Sequence, residues 1–227
     1  MKHLLHGLKL SPLFRGYDDS HLNRLVMNMR YRVAPFSQGQ MIAMEHAPCS
    51  HLGILLEGKA EVQKSFASGK VVSVSRFEPG EVFGEAMVFS PQGEYPATIM
   101  AAETPTSIVF ISHDQIRSLC REDELFFPRF AGLLSQKLLM LNKKVELLSY
   151  PSVRQKVIAY ILDLYDEKEG SKVVLRVGRQ TMAQQLGIPR PSVSREMIRL
   201  REEGFIEFHR NVIQIKDLDG LVEILLL

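Results

Sequence analysis

The chain has only two cysteines, Cys49 and Cys120, far apart in its 227 residues. That scarcity excludes a zinc cage or an iron-sulfur cluster built from thiolates alone, and the two read as reduced cytosolic thiols. Net charge is scarce as well. With 28 basic and 26 acidic side chains the balance is +2, so no cationic tail or saturated basic surface announces a nucleic acid or a membrane, and any such contact must be local. Long apolar runs are missing too. Nothing approaches the roughly 20 residues of a spanning helix, and the closing LVEILLL is far too short. The opening MKHLLHGLKLSPLF is broken by His6, Gly7 and Lys9 and has no small-residue cleavage site, so it does not read as a signal peptide. Together these absences predict a soluble, cytoplasmic protein that does not engage a membrane.

What is present can build a core, since 45% of the residues are hydrophobic. Residues 11–29 read as a short helical cap, with Leu22, Leu25, Val26 and Met29 recurring at helical intervals. Strands rich in β-branched and aromatic residues are expected over 31–36, 41–44, 52–56, 60–66, 71–77, 82–83, 98–101 and 107–111. Turn signals separate them at 37–40, 57–59, 67–70, 78–81 and 90–93. The pattern predicts an antiparallel β-roll, of double-stranded β-helix or jelly-roll type, within residues 1–122. A short apolar-periodic piece with Ile116, Leu119 and Cys120 follows it.

Over 127–148, Phe127, Ala131, Leu134, Leu138, Leu141, Val145 and Leu148 alternate steps of four and three. That is an a/d seam of about three heptads, shaped to meet a second copy of itself. Residues 123–149 are therefore expected to form a dimerisation helix. Ser149-Tyr150-Pro151 ends it, because proline cannot donate to the preceding turn, and Pro151 can occupy the first turn of a helix over 152–165. Within 150–227 a polar loop over 167–172 and a short strand over 173–177 come next. A helix over 179–186, the turn Gly187-Ile188-Pro189 and a helix from Arg190 to about Glu203 follow. Ala183 is small where two helices must approach, Gly187 suits a left-handed turn, and Ile188, Val193, Met197, Ile198 and Leu200 form the buried side. Strands over 205–208 and 212–215 complete a winged helix-turn-helix, so the fold class is α+β.

Gly53 to Gly58, the run Glu78-Pro79-Gly80-Glu81-Val82-Phe83-Gly84-Glu85 and the winged reader, in that order, resemble the CRP/FNR transcriptional regulators over nearly the whole chain. The resemblance implies a sensor roll in which Gly84 and Glu85 open a phosphate-binding cassette. The cyclic-nucleotide members place an Arg, then Ser or Thr, about ten residues later. Here Tyr95-Pro96 stands instead. That departure argues against cyclic AMP, since a buried phosphodiester without its counter-charge costs several kcal/mol. On the long helix, Leu141 and Asn142 match the positions that face adenine. The expected effector region is Gly84, Glu85, Met87, Val88, Phe89, Tyr95, Pro96, Ala97, Leu141, Asn142 and Val145, with Met87, Val88, Phe89, Tyr95, Leu141 and Val145 as its apolar lining. It suits a small non-nucleotide effector or haem, or else these side chains fill a collapsed core. An iron-sulfur cluster is disfavoured because no cysteine precedes Cys49. His46, Cys49 and His51 form the best metal-like cluster, yet they read as a solvated loop, and no metal site is expected.

Matching the family's recognition motif, Arg190, Ser194 and Arg195 are candidates for base or phosphate contact, with Ser192 and Arg199 beside them. Gln180 and Thr181, with Arg179, stand where phosphates can be held at a helix start. Arg199, Arg201, Glu202 and Glu203 also fit a solvated face. Pro191 replaces a Glu that reads cytosine in the cyclic-AMP relatives, so the operator should differ. The expected partners are a double-stranded DNA operator, a second copy of the chain, a small effector and, for an activator, RNA polymerase. A constitutive DNA-binding dimer with a structural roll is the alternative, and redox control through Cys49 or Cys120 a variant. An enzyme is not expected, because no nucleophile and base pair up.

Overall fold

The computed structural model describes residues 2–65, 71–91, 93–165, 170–175 and 177–226, and the chain divides into two compact units, Met1–Gln136 and Lys137–Leu227. The expected turn at 67–70, Phe66, Gln92, residues 167–169 of the expected loop and Arg176 lie outside the described residues. Among those that are described, no helix is long and apolar enough to cross a membrane.

In the first unit, helices α1 (Lys2–Leu10) and α2 (Asp19–Asn28) precede eight strands. These are β1 (Tyr31–Phe36), β2 (Met41–Ala43), β3 (His51–Glu57), β4 (Ala60–Ser65), β5 (Val71–Phe77), β6 (Val82–Phe83), β7 (Thr98–Ala101) and β8 (Thr106–Ser112). They form two four-stranded antiparallel sheets, ordered β1-β8-β3-β6 and β2-β7-β4-β5. The predicted roll is present. Helix α3 (His113–Glu122) follows, then the long α4 (Phe126–Ser149), inside which the boundary between the two units falls.

Strand β3 shows how the roll is built. Alternate side chains point to opposite faces of a strand, and here both faces are covered. Leu52, Ile54 and Leu56 pack with Leu4, Leu8, Leu22 and Phe126 on the helical side, while Leu55 joins Phe83, Ile99, Ile108 and Phe110 in the roll interior. The strand therefore reads as a continuous apolar run rather than an alternating one. Gly53 lies opposite Phe83 in the ladder, and a Cβ there would sit 2.1 Å from the ring, so the glycine makes room for an aromatic filling.

Two helices depart from expectation. The cap expected over 11–29 is helical only as α2, residues 11–18 being non-helical, and an unexpected helix, α1, precedes it, where Leu4 and Leu8 are buried and Gly7 lets the helix settle on Leu56. Pro151 stays outside the helix it was expected to open. Ser152 is the N-cap of α5 (Val153–Asp163), its Oγ accepting from the Gln155 amide at 3.1 Å.

The second unit holds the end of α4, α5, β9 (Lys172–Val174), α6 (Arg179–Leu186), α7 (Arg190–Glu202), β10 (Ile206–His209), β11 (Val212–Ile215) and α8 (Leu218–Leu226). The strands pair as β10-β11-β9. Val157, Ile158 and Ile161 of α5 share a core with Met182, Leu186, Val193, Met197, Leu200, Ile213 and Leu221. The closing apolar run is thus α8, with Leu221 its buried anchor.

Candidate functional site

Helices α6 and α7 are joined by a turn that the backbone specifies closely. Gly187 is left-handed at φ 64°, its amide donates to the Gln184 carbonyl at 3.3 Å, and the Ile188 amide to the Ala183 carbonyl at 3.1 Å. These are the two bonds of a Schellman cap, which a glycine adopts without steric cost. The far end of α7 closes the same way, Gly204 donating to Arg201 and Phe205 to Leu200, both at 3.0 Å. Val193, Met197 and Leu200 are buried beneath α7, as expected, while Ile198 is 37% exposed. Its expected place on the inward side is taken by Glu196, which is 6% exposed. Arg154 reaches Glu196 at 3.4 Å and Glu203 at 3.0 Å, and Arg199 stands 3.8 Å from Glu196. Sequence reasoning treated Glu203 as solvated and missed this network, because Arg154 lies 42 residues from Glu196.

The outward side of α7 carries Arg190, Arg195 and Arg199, all exposed, with Ser192 and Ser194 half-buried between them. Gln180 and Thr181 are exposed at the start of α6. Neither α6 nor α7 has an acidic residue in its first turn. Arg179 and Arg190 instead set cations against the positive ends of their helix dipoles, an arrangement that costs roughly 0.3–1 kcal/mol each unless an anion arrives. The chemistry is that of a duplex reader: guanidinium forks for guanine edges and phosphates, hydroxyls for either.

The cassette splits between two cores. Gly84 precedes a single 3-10 turn, Glu85–Met87, and a Cβ on Gly84 would lie 2.8 Å from the His51 carbonyl oxygen. Glu85 is buried and Met87 packs toward the roll interior, but Val88 belongs to the helical core with Phe126, Phe130 and Leu133. Phe89 turns outward at 56% exposure, its ring 5.7 Å from Phe130. Pro96 is exposed and Ala97 half-buried. Val88, Phe89 and Pro96 are therefore not part of the interior they were expected to line. Leu141, Asn142 and Val145 lie in the second unit, all exposed.

Tyr95 is buried in the roll interior and packs in the same core as Cys49. Burial pushes the Cys49 thiol up, with the negative charge of Glu85 adding to the effect, and the thiol donates to the His51 carbonyl at 3.7 Å. Burial likewise raises the Tyr95 phenol. Both groups stay protonated, and the thiol is a poor nucleophile. His46 is exposed while Cys49 points inward, so the expected loop cluster does not converge, and no group of three or more His, Cys, Asp or Glu among the described residues is placed to hold a metal. Burial lowers the His113 pKa, and its Nε2 has no hydrogen-bond partner among the described residues.

On α4, Phe126, Phe130 and Leu133 are buried. The neighbouring stripe is not. Phe127 is 54% exposed, Leu138, Leu141 and Val145 are each 58% exposed, and Leu148 is 41% exposed; Ala131 and Leu134 are half-buried. Leu139 and Met140 widen the uncovered surface.

Residues 33–123 match the cyclic nucleotide-binding domain model and residues 155–224 the Crp-like helix-turn-helix domain model. The chain is 26% identical over 217 residues to the cyclic AMP receptor protein of Thermus thermophilus, covering 96% of this chain and 98% of that one. It is 22% identical over 189 residues to a global nitrogen regulator of Nostoc, covering 81% and 84%. The crystal structure of Thermus thermophilus catabolite activator protein superposes with a TM-score of 0.55 at 25% identity, covering 95% and 99%.

Proposed function

We infer the function from one premise, that this chain belongs to the CRP/FNR family of transcriptional regulators. It is a DNA-binding transcription regulator with a cyclic-nucleotide-binding-like domain. Our reading goes further: two copies join along the exposed stripe of α4, present paired α7 helices to a pseudo-palindromic operator, and respond to something other than cyclic AMP. An activator of this design would also meet RNA polymerase.

The observation that carries the effector reading is the Cys49–Tyr95 pair beside Glu85. Where the cassette of cyclic-nucleotide relatives supplies a cation, this roll has a phenol, a thiol and a carboxylate whose charge is felt at Cys49. A phosphodiester brought there would be repelled rather than clamped. A neutral, largely apolar molecule meets no such penalty. Calorimetry should show no cyclic AMP binding at micromolar concentration; binding that disappears in Tyr95→Ala would overturn this reading.

One observation favours a second reading, a constitutive regulator with a structural roll. The interior is filled by rings in contact: Phe36 and Phe110 at 6.4 Å, Phe110 and Phe83 at 6.1 Å, Phe83 and Phe77 at 5.7 Å. The same packing fits haem poorly, as does a thiol held protonated. An absorption spectrum and mass spectrum of the purified protein separate the two readings: a stoichiometric co-purifying molecule supports an effector, whereas full DNA affinity in ligand-free protein supports the constitutive form.

A further inference from the structure

We propose that Arg179 and Arg201, both laid on the ring of Phe208, form a phosphate-binding point for duplex DNA separate from the base-reading residues of α7. The inference rests on the DNA-binding reading above.

Each guanidinium carbon lies 4.8 Å from the Phe208 centroid. Two points so placed are at most about 10 Å apart, a separation comparable to the Debye length at physiological salt, so the cations repel one another. Neither makes an ion pair among the described residues, and the nearby Glu196 and Glu203 are engaged with Arg154 and Arg199. Glu207, next to Phe208 in sequence, instead accepts from the Phe208 amide at 3.1 Å. Stacking satisfies the face of a guanidinium and leaves its N–H edges free, the arrangement that suits two phosphate oxygens.

Position supports the same partner. Arg201 follows Arg190 by eleven residues, about three turns, so it returns to the same side of α7 roughly 16 Å along the axis. Arg190, Ser194 and Arg201 thus make one stripe. Arg179 stands in the first turn of α6, where the helix dipole also attracts an anion. Phe208, on the first strand of the wing, holds the two arginines in one place. Sequence reasoning placed Arg201 on a solvated face, because nothing in the local pattern shows that the wing brings an aromatic ring beneath it.

The test uses the full-length protein and a short duplex of random sequence, since phosphate contacts do not depend on sequence. Fluorescence anisotropy across a salt series gives the slope of log K against log salt. Arg201→Ala should weaken binding several-fold and reduce the slope by about 0.9 for each reader engaged. Phe208→Leu, which keeps both charges but removes their platform, should weaken binding and leave the slope nearly unchanged. Circular dichroism melts establish that each variant is folded, with Arg201→Gln, which removes the charge but keeps most of the side chain, replacing Arg201→Ala if the latter melts early. A wild-type slope in a folded Arg201 variant, alongside a reduced slope in Arg195→Ala, overturns this inference alone. Salt-independent or absent DNA binding by the wild type overturns the DNA-binding reading with it.

Discussion

Asp123 holds several parts of the first unit at one carboxylate. The Leu125 and Phe126 amides donate to its Oδ1 at 2.9 and 3.0 Å, satisfying the start of α4, and the Tyr17 hydroxyl donates to the same oxygen at 2.8 Å. His21 Nε2 lies 2.8 Å from Oδ2. Burial alone would raise this carboxyl, but the bonds from Tyr17, His21 and Leu125 outweigh it and hold the pKa below the ordinary range. The sign follows. A depressed folded pKa stabilises the fold above the unfolded value of about 3.9, and that contribution is lost as pH falls through the folded pKa. Asp123→Ala should cost about 1–2 kcal/mol near neutral pH in a denaturant titration. The difference from wild type should shrink in acid, and a gap independent of pH would assign the loss to packing instead. No pattern in the sequence marked Asp123, because its partners lie 102 and 106 residues away. Tyr95, by contrast, was legible, since a missing charge in a recognisable cassette shows in the sequence itself.

Among the elements, those that carry their own instructions were the readable ones. Helices α6 and α7 were placed correctly because Gly187 and Gly204 state where each helix ends. Helix α1 was not, since Gly7 interrupts its apolar pattern for a reason that exists only when Leu56 lies against it. For α4 the heptad was legible, and the structure adds which side is already occupied: Phe126, Phe130 and Leu133 serve the first unit, and Leu147 packs in the second. The stripe of Leu138, Leu141 and Val145 serves neither. Burying a leucine contributes about 2 kcal/mol, and a two-fold interface uses each position twice. Leu138→Glu should therefore convert the dimer to monomer at micromolar protein in sedimentation equilibrium, while far-ultraviolet circular dichroism stays as in wild type. A dimer of unchanged strength would move the interface off this stripe.

The near-neutral charge of the whole molecule gave no hint of DNA, and the hint came from where arginines sit rather than how many there are. Arg195 stands exposed on the side of α7 opposite Val193, Met197 and Leu200, and Arg190 stands exposed at the helix start. Between them Pro191 offers no polar group to a base edge, so under the proposed reading direct base contact would fall to the arginines and Ser194. Arg prefers the O6 and N7 pair of guanine, which predicts guanine-bearing half-sites. A two-fold dimer repeats whatever one α7 reads, in inverted order, with half-site centres about one helical turn, roughly 10 base pairs, or a multiple of it apart. In vitro selection from random duplexes should enrich such a pseudo-palindrome. Repeating the selection with Arg195→Ala should relax preference at one symmetric pair of positions, at a cost of about 1–3 kcal/mol on the wild-type site, while the remaining positions keep their bases. Enrichment of a single unpaired half-site, or an unchanged consensus from the variant, would mean that these helices do not enter the groove as a symmetric pair led by Arg195.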